Sequence, residues 1–253
     1  MGQKTPPMTT ILRAFEIIDV LWRLKGAGPS TLGEKLGLSK STAHVYLRTL
    51  QSTGYVVNDG GEYHLSYRFL TMGSRLRYRS RIFQVAESEI ETLARETGEL
   101  VTLVVRENDE SVILHLEKGD RALELGLYPG MMIPLHSHAS GKVLLAQMSP
   151  ERVATFVSRR GLDPVTDETI TDPDELRAEL DVVRERGYAY DWDQQVKGMG
   201  VIGAPIVVED SLEGVLSIAC PTGRLKRDSY REELLQEVQQ SIERISIKHK
   251  YGN

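Results

Sequence analysis

Along the first quarter of the chain, apolar positions recur at helical spacing. Ile11, Leu12, Phe15, Ile18, Val20 and Leu21 fit one helix, which the stretch from Gly26 to Pro29 ends. Ser30 opens a second helix, with Thr31 and Glu34 at capping-box spacing and Gly37 as its stop. Leu38 and Ser39 make a turn, and a third helix is predicted over about residues 40–53, closed by Gly54. The period then shortens. Residues 55–57 and 63–65 read as strands around Asn58, Asp59, Gly60 and Gly61, which is hairpin-turn chemistry. Three helices and a hairpin predict a winged helix-turn-helix over residues 8–66.

Residues 67–81 read as a helix carrying Arg68, Arg75, Arg77, Arg79 and Arg81, so 67–83 is assigned as a linker. Beyond it, a helix built on Val85, Ile90, Leu93 and Ala94 precedes strand-like runs at 100–105, 111–116 and 122–127. Helices are predicted near 140–147, 149–158 and 173–186, strands at 188–191, 201–208 and 214–219, and a last helix at 230–248. Hairpin-connected strands with flanking helices predict an α+β domain with a mainly antiparallel sheet over 84–250.

The third helix carries a testable asymmetry. At 100° per residue, Ala43, Leu47 and Leu50 share the face that packs on the first two helices. Ser41, His44, Val45, Arg48 and Ser52 then face outward, with Lys40 and Thr42 in the first turn. Small hydroxyls permit close approach to DNA, and Arg48 can donate to guanine or phosphate. The expected contact set is Ser39, Lys40, Ser41, Thr42, His44, Val45, Arg48 and the wing residue Tyr63.

Composition sharpens this division. The net charge of −5 argues against a nucleic-acid partner only until it is split. Residues 1–81 hold 12 lysines and arginines against 5 acids, whereas 82–253 hold 19 against 31. A basic module joined to an acidic one implies different partners for each. No apolar run is long enough for a membrane span or a signal-peptide core, so the expected compartment is the cytoplasm. The single cysteine, Cys220, leaves no intramolecular disulfide and reads as a packing residue.

Two patterns invite an enzymatic reading. Gly198, Gly200 and Gly203 match GxGxxG, but Ala204, Pro205 and Ile206 continue as a strand and no helix opens to receive a dinucleotide phosphate. His136 and His138 sit two apart without evident partners, and they read as loop-shaping residues rather than metal ligands. No cofactor or metal is expected. An enzyme with an accessory DNA-binding module is the alternative to a regulator, and it would need a convergent acid, base or metal cluster in residues 84–250.

The stretch from Ser30 to His44 resembles the helix-turn-helix of the IclR-type regulators, with Gly37-Leu38, Lys40-Ser41-Thr42 and Gly54-Tyr55-Val56 in matching places. Tyr63, Leu65, Phe69, Leu70 and Gly73 match that family's linker. The run from Ile133 to Ala146, the segment from Arg186 to Ile206, and Leu216 to Pro221 match its effector domain. The resemblance spans nearly the whole chain. It implies a GAF-like effector domain, a dimer or tetramer, a palindromic double-stranded operator, and a metabolic operon controlled through a small organic acid. Carried over position by position, the pocket comprises Ala122, Leu125, Ile133, Ala139, Ser140, Met199, Val201, Ser217 and Ala219. Departures from the family pattern fall at Val45, often arginine, at Gln194 in place of an acid, and at Val201 in place of cysteine. The pocket therefore reads as suited to a carboxylate with an apolar body, such as an aromatic or sugar-derived acid.

Overall fold

The computed structural model describes residues 6–252. The chain divides into two compact units between Leu76 and Arg77.

In the first unit, α1 (Thr9–Leu24), α2 (Pro29–Leu36) and α3 (Lys40–Ser52) precede a hairpin of β1 (Val56–Asp59) and β2 (Glu62–Leu65). Ile17, Val20, Leu21, Leu32, Ala43, Leu47, Val56 and Tyr63 form its core. The hairpin closes through Gly60 and Gly61 at φ +58° and +98°, a conformation that excludes most side chains. Asn58 Oδ1 accepts from the Gly61 N–H at 2.9 Å and holds that turn.

Two details of the sequence reading are corrected. The capping box at Thr31 and Glu34 does not form, because Pro29 occupies the first turn and the helix starts one residue early, capped by Gly28 without a side-chain bond. On α1, Ile11, Leu12 and Phe15 point outward, and only the stripe of Ile17, Val20 and Leu21 is buried.

The linker runs as α4 (Arg68–Arg79), and the predicted single helix breaks at Ser80 before α5 (Arg81–Thr97). Extended backbone at Ser80, φ −72° and ψ 116°, separates the two.

The second unit is a six-stranded antiparallel sheet in the order β5-β4-β3-β8-β7-β6. Its strands are β3 (Leu100–Glu107), β4 (Glu110–Lys118), β5 (Met132–Pro134), β6 (Ala189–Trp192), β7 (Met199–Val208) and β8 (Ser211–Pro221). One face carries Val101, Leu103, Ile202, Leu216, Ile218 and Cys220 and is covered by α5 and α10 (Asp228–Tyr251). The other carries Leu100, Val104, Val201, Val215 and Ala219 and packs on α6 (Ala139–Ala146). Helix α8 (Pro173–Arg186) packs on α6, and α7 (Pro150–Arg160) adds Val153 and Phe156 to the same core, while the one-turn α9 (Thr222–Leu225) joins β8 to α10.

Residues 122–127, expected as a strand, are irregular. The outer edge of β4 is taken by β5 and by the pairing of Ile113 with residues 130 and 131, so this stretch finds no ladder and lays its leucines on the core instead. Among the described residues no helix is long and apolar enough to cross a membrane.

Candidate nucleic-acid and ligand sites

The N-terminus of α3 gathers three exposed hydroxyls. Ser39 caps it, accepting from the Thr42 N–H at 3.1 Å, while the hydroxyls of Ser41 and Thr42 each lie 2.8 Å from Ser39 Oγ. No acidic residue occupies the first turn, so no carboxylate offsets the positive end of the helix dipole. Lys40, His44, Val45 and Arg48 are all exposed. Val45 is 63% exposed, an apolar patch suited to a thymine methyl. His44, Arg48, Gln51, Ser52, Asn58 and Tyr63 line a cleft between α3 and the hairpin. Tyr63 is the exception within the expected set. Only 2% exposed, it belongs to the core and shapes the floor of the cleft rather than presenting itself to a partner. Gln51 and Asn58 were not anticipated, because one lies near the helix end and the other was spent on the turn.

All nine expected pocket residues converge on the α6 face of the sheet. Ile133, Ala139, Met199, Val201 and Ala219 are buried in that core, and Ala122 and Leu125 pack against it from the irregular segment. Strand register explains the clustering: Val201 pairs with Ala219, and Gly203 pairs with Ser217, which pairs with Thr102. The sheet must stay bare at Gly203, since a Cβ there would sit 3.3 Å from the Ser140 backbone nitrogen at the start of α6. Gly203 therefore serves helix-on-sheet packing within β7, and the GxGxxG stretch holds no phosphate turn.

The hydroxyls form a buried chain. Ser140 Oγ donates to Ser217 Oγ at 3.0 Å, and Ser217 Oγ lies 2.6 Å from Thr102 Oγ1. Beside it, Ser111 Oγ donates to the Ile133 carbonyl at 2.8 Å, which leaves it to accept from His138 Nε2 at 2.8 Å. Burial pushes the His138 imidazole down to about 3, so it is neutral and fixed in one tautomer. His136 Nε2 instead donates to the Asp163 carbonyl at 3.0 Å. The two histidines thus shape the loop, and among the described residues no cluster of three or more His, Cys, Asp or Glu could hold a metal.

Sequence reasoning missed the charged side of this face. Asp191 pairs with Val201 across the sheet edge, so its carboxylate lies on the α6 side. Oδ1 accepts from the Gln194 N–H at 2.7 Å, but Oδ2 and Gln194 Oε1 are buried without partners. Burial pushes Asp191 up to about 7, against the smaller opposing pull of the Gln194 N–H and the Lys142 cation. Lys142, on α6, is itself buried and donates to Glu179 Oε1 of α8 at 2.8 Å. The acid on this face is Asp191, three residues before Gln194. Its signal was the alternation of β6, which puts Asp191 on the same side as buried Ala189.

With these sites described, comparison with known proteins is decisive. Residues 10–60 match the IclR helix-turn-helix domain, and residues 77–247 match the C-terminal domain of bacterial IclR transcriptional regulators. The chain belongs to the IclR family. It is 32% identical to the glycerol operon regulatory protein of Streptomyces coelicolor, over 94% of this chain and 97% of that protein. Among solved structures, the IclR protein of Thermotoga maritima superposes with a TM-score of 0.78 at 29% identity, covering 97% of this chain and all of that one. An IclR homologue from Microbacterium hydrocarbonoxydans, crystallised with 4-hydroxybenzoate, shares the fold with a TM-score of 0.79 at 24% identity, covering 95% and 98% of the two chains. IclR proteins are transcription regulators, so the α+β unit is an effector domain and the enzyme alternative falls.

Proposed function

We propose that this IclR-family regulator binds a palindromic operator as a dimer and controls a metabolic operon in response to a small organic acid. The observation that carries the ligand class is the hydroxyl chain Ser140–Ser217–Thr102, set at the start of α6 within an otherwise apolar face. Helix-end amides and hydroxyls suit a carboxylate. Val201, Leu125 and Met199 suit an apolar body. The unpartnered Asp191 and Gln194 oxygens accept a hydroxyl or amine at its far end. The compound bound by the Microbacterium homologue, 4-hydroxybenzoate, has that form and heads the panel to be tested.

Thermal denaturation with 4-hydroxybenzoate, pyruvate and a sugar-derived keto acid tests this reading. A true effector at about 100 times its Kd adds about 2.7 kcal/mol of stability, a shift of several degrees. Ser217→Ala should diminish that shift. A panel of such acids that leaves the melting curve unmoved would sink the ligand class.

On the DNA side, the proposed contacts are Ser39, Lys40, Ser41, Thr42, His44, Val45 and Arg48, with Tyr63 supporting the wing from below. Arg48→Ala should weaken binding to a selected palindromic site by about 1–3 kcal/mol and relax preference at one base position per half-site. Lys40→Ala should weaken all sequences alike and flatten the salt dependence by about one unit of slope. Both are read by titration of fluorescent duplexes at two salt concentrations. Uniform loss for Arg48→Ala, with no change in base preference, would remove it from the base-reading set.

A further inference from the structure

β4 carries a bulge where it pairs with β3: Leu103 opposes His115 and Val104 opposes Ile113, leaving Leu114 as the extra residue. Bulges re-aim side chains. Here the bulge keeps Ile113 on the α6 face but turns His115 to the opposite face, beside Leu103. The imidazole meets Phe83 of α5 edge-on, with ring centroids 5.3 Å apart. Phe83 in turn carries the Arg77 guanidinium over its face at 4.7 Å and Tyr78 edge-on at 5.1 Å. Arg77 and Tyr78, at the start of the second unit, are thus seated on its core through Phe83 and His115.

This seat is poorly satisfied. Both ring nitrogens of His115 and the Nε of Arg77 are buried without hydrogen-bond partners. Glu117 Oε1 lies 3.2 Å from His115 Nε2 but is out of line for a bond. Glu117 from β4, Arg77 from α4 and Glu87 from α5 are the charged groups that act on the ring. His115 therefore sits beside a carboxylate to which it makes no bond.

Two to four residues upstream, the same strand borders the α6 face proposed as the effector site. Ser111 binds the Ile133 carbonyl and His138, and Ile113 exchanges backbone bonds with Gly130 and Met131 at 2.7 and 3.0 Å. We propose that the bulged segment Ser111–His115 is the coupling element between the proposed effector site on the α6 face and residues 77–83 of the same unit, with His115 as the positioning residue that seats Phe83 and Arg77. The proposal rests on the α6 face being the effector site. Pull on Ser111 or Ile113 from the α6 side displaces His115 on the other, and Arg77 and Tyr78 lose their seat.

Hydrogen exchange followed by mass spectrometry on the full chain, without ligand, tests this. His115→Ala should speed exchange not only at residues 77–83 but also across the sheet at 130–133, by about 2- to 30-fold. Reciprocally, Ser111→Ala should speed exchange at 77–83 by a comparable factor. His115→Phe keeps the ring on Phe83 and removes both nitrogens, so both segments should remain protected. Ile90→Val loosens the same helix-side core elsewhere and should leave 130–133 unchanged. The proposal is overturned if His115→Ala affects 77–83 alone, if Ile90→Val reproduces its effect, or if Ser111→Ala leaves 77–83 untouched. Should His115→Ala fail to fold, the Ser111 arm decides by itself. No arm uses a ligand, so an unresponsive acid panel and a failure of coupling are separate results.

Discussion

Replacing Phe15 with glutamate is expected to halve the particle mass in solution and to weaken binding to a palindromic operator by about 10²- to 10⁴-fold. Helix α1 is apolar on two sides. One side, Ile17, Val20 and Leu21, fills the core of the first unit. The other, Met8, Ile11, Leu12, Phe15 and Trp22, repeats at helical spacing and lies open, with Phe15 63% and Trp22 67% exposed. In the same unit Tyr67, Leu70, Met72 and Leu76 of the linker region are also exposed. A stripe of this kind on a water-soluble surface costs solvation unless another copy covers it. A self-complementary patch brought together by a two-fold axis presents two recognition helices, as a palindrome requires. Because Phe15 touches little within its own chain, glutamate there should leave the fold intact while placing two like charges at the proposed contact. Each half-site is then bound singly and the avidity of the pair is lost. Light scattering and duplex titration read the two effects. An unchanged mass with a normal circular dichroism spectrum would relocate the dimer contact to another surface.

This stripe also shows what a linear reading can and cannot recover. The helical period of α1 was plain, but periodicity does not say how many partners a helix has, and Ile11, Leu12 and Phe15 looked like core. The recognition helix was legible because Ala43 and Leu47 fix its inner face, so the outer face follows by rotation. The hairpin was legible because Gly60 and Gly61 leave the backbone few alternatives. Residues 122–127 misled because their alternating leucines satisfy the strand period, while strand formation depends on a free neighbouring edge that β5 had already taken. The nine pocket positions came together because strand register and family order agree. Asp191 was missed because a charged residue at the end of a short strand resembles the loop that follows. Only the pairing with Val201 shows that it points inward.

That inward carboxylate carries the second large effect. Burial holds Asp191 up to about 7, whereas its ordinary value is 3.8. A carboxyl raised in the folded state stabilises the fold fully below about pH 4, and the contribution is lost as pH rises to about 7. Above that, the folded protein holds an ionised group with one oxygen unpartnered. Other buried groups tilt the curve differently: His138, depressed to about 3, must charge on unfolding and favours the folded state as pH rises from about 3 to its ordinary 6.5. Comparing the native protein with Asp191→Asn at each pH cancels those contributions. At pH 4 the two should differ little in urea denaturation followed by tryptophan fluorescence. By pH 8 asparagine should be the more stable by about 4 kcal/mol, since each pH unit between about 4 and 7 is worth about 1.4 kcal/mol. A difference that stays constant from pH 4 to pH 8 would mean that Asp191 ionises in the folded protein much as it does in water. An effector that donates a hydrogen bond to Asp191 Oδ2 should stabilise the native protein more at pH 8 than at pH 5, because it partners the ionised carboxylate. That increment should vanish in Asp191→Asn, which ties the pH response of the fold to the chemistry of the bound acid.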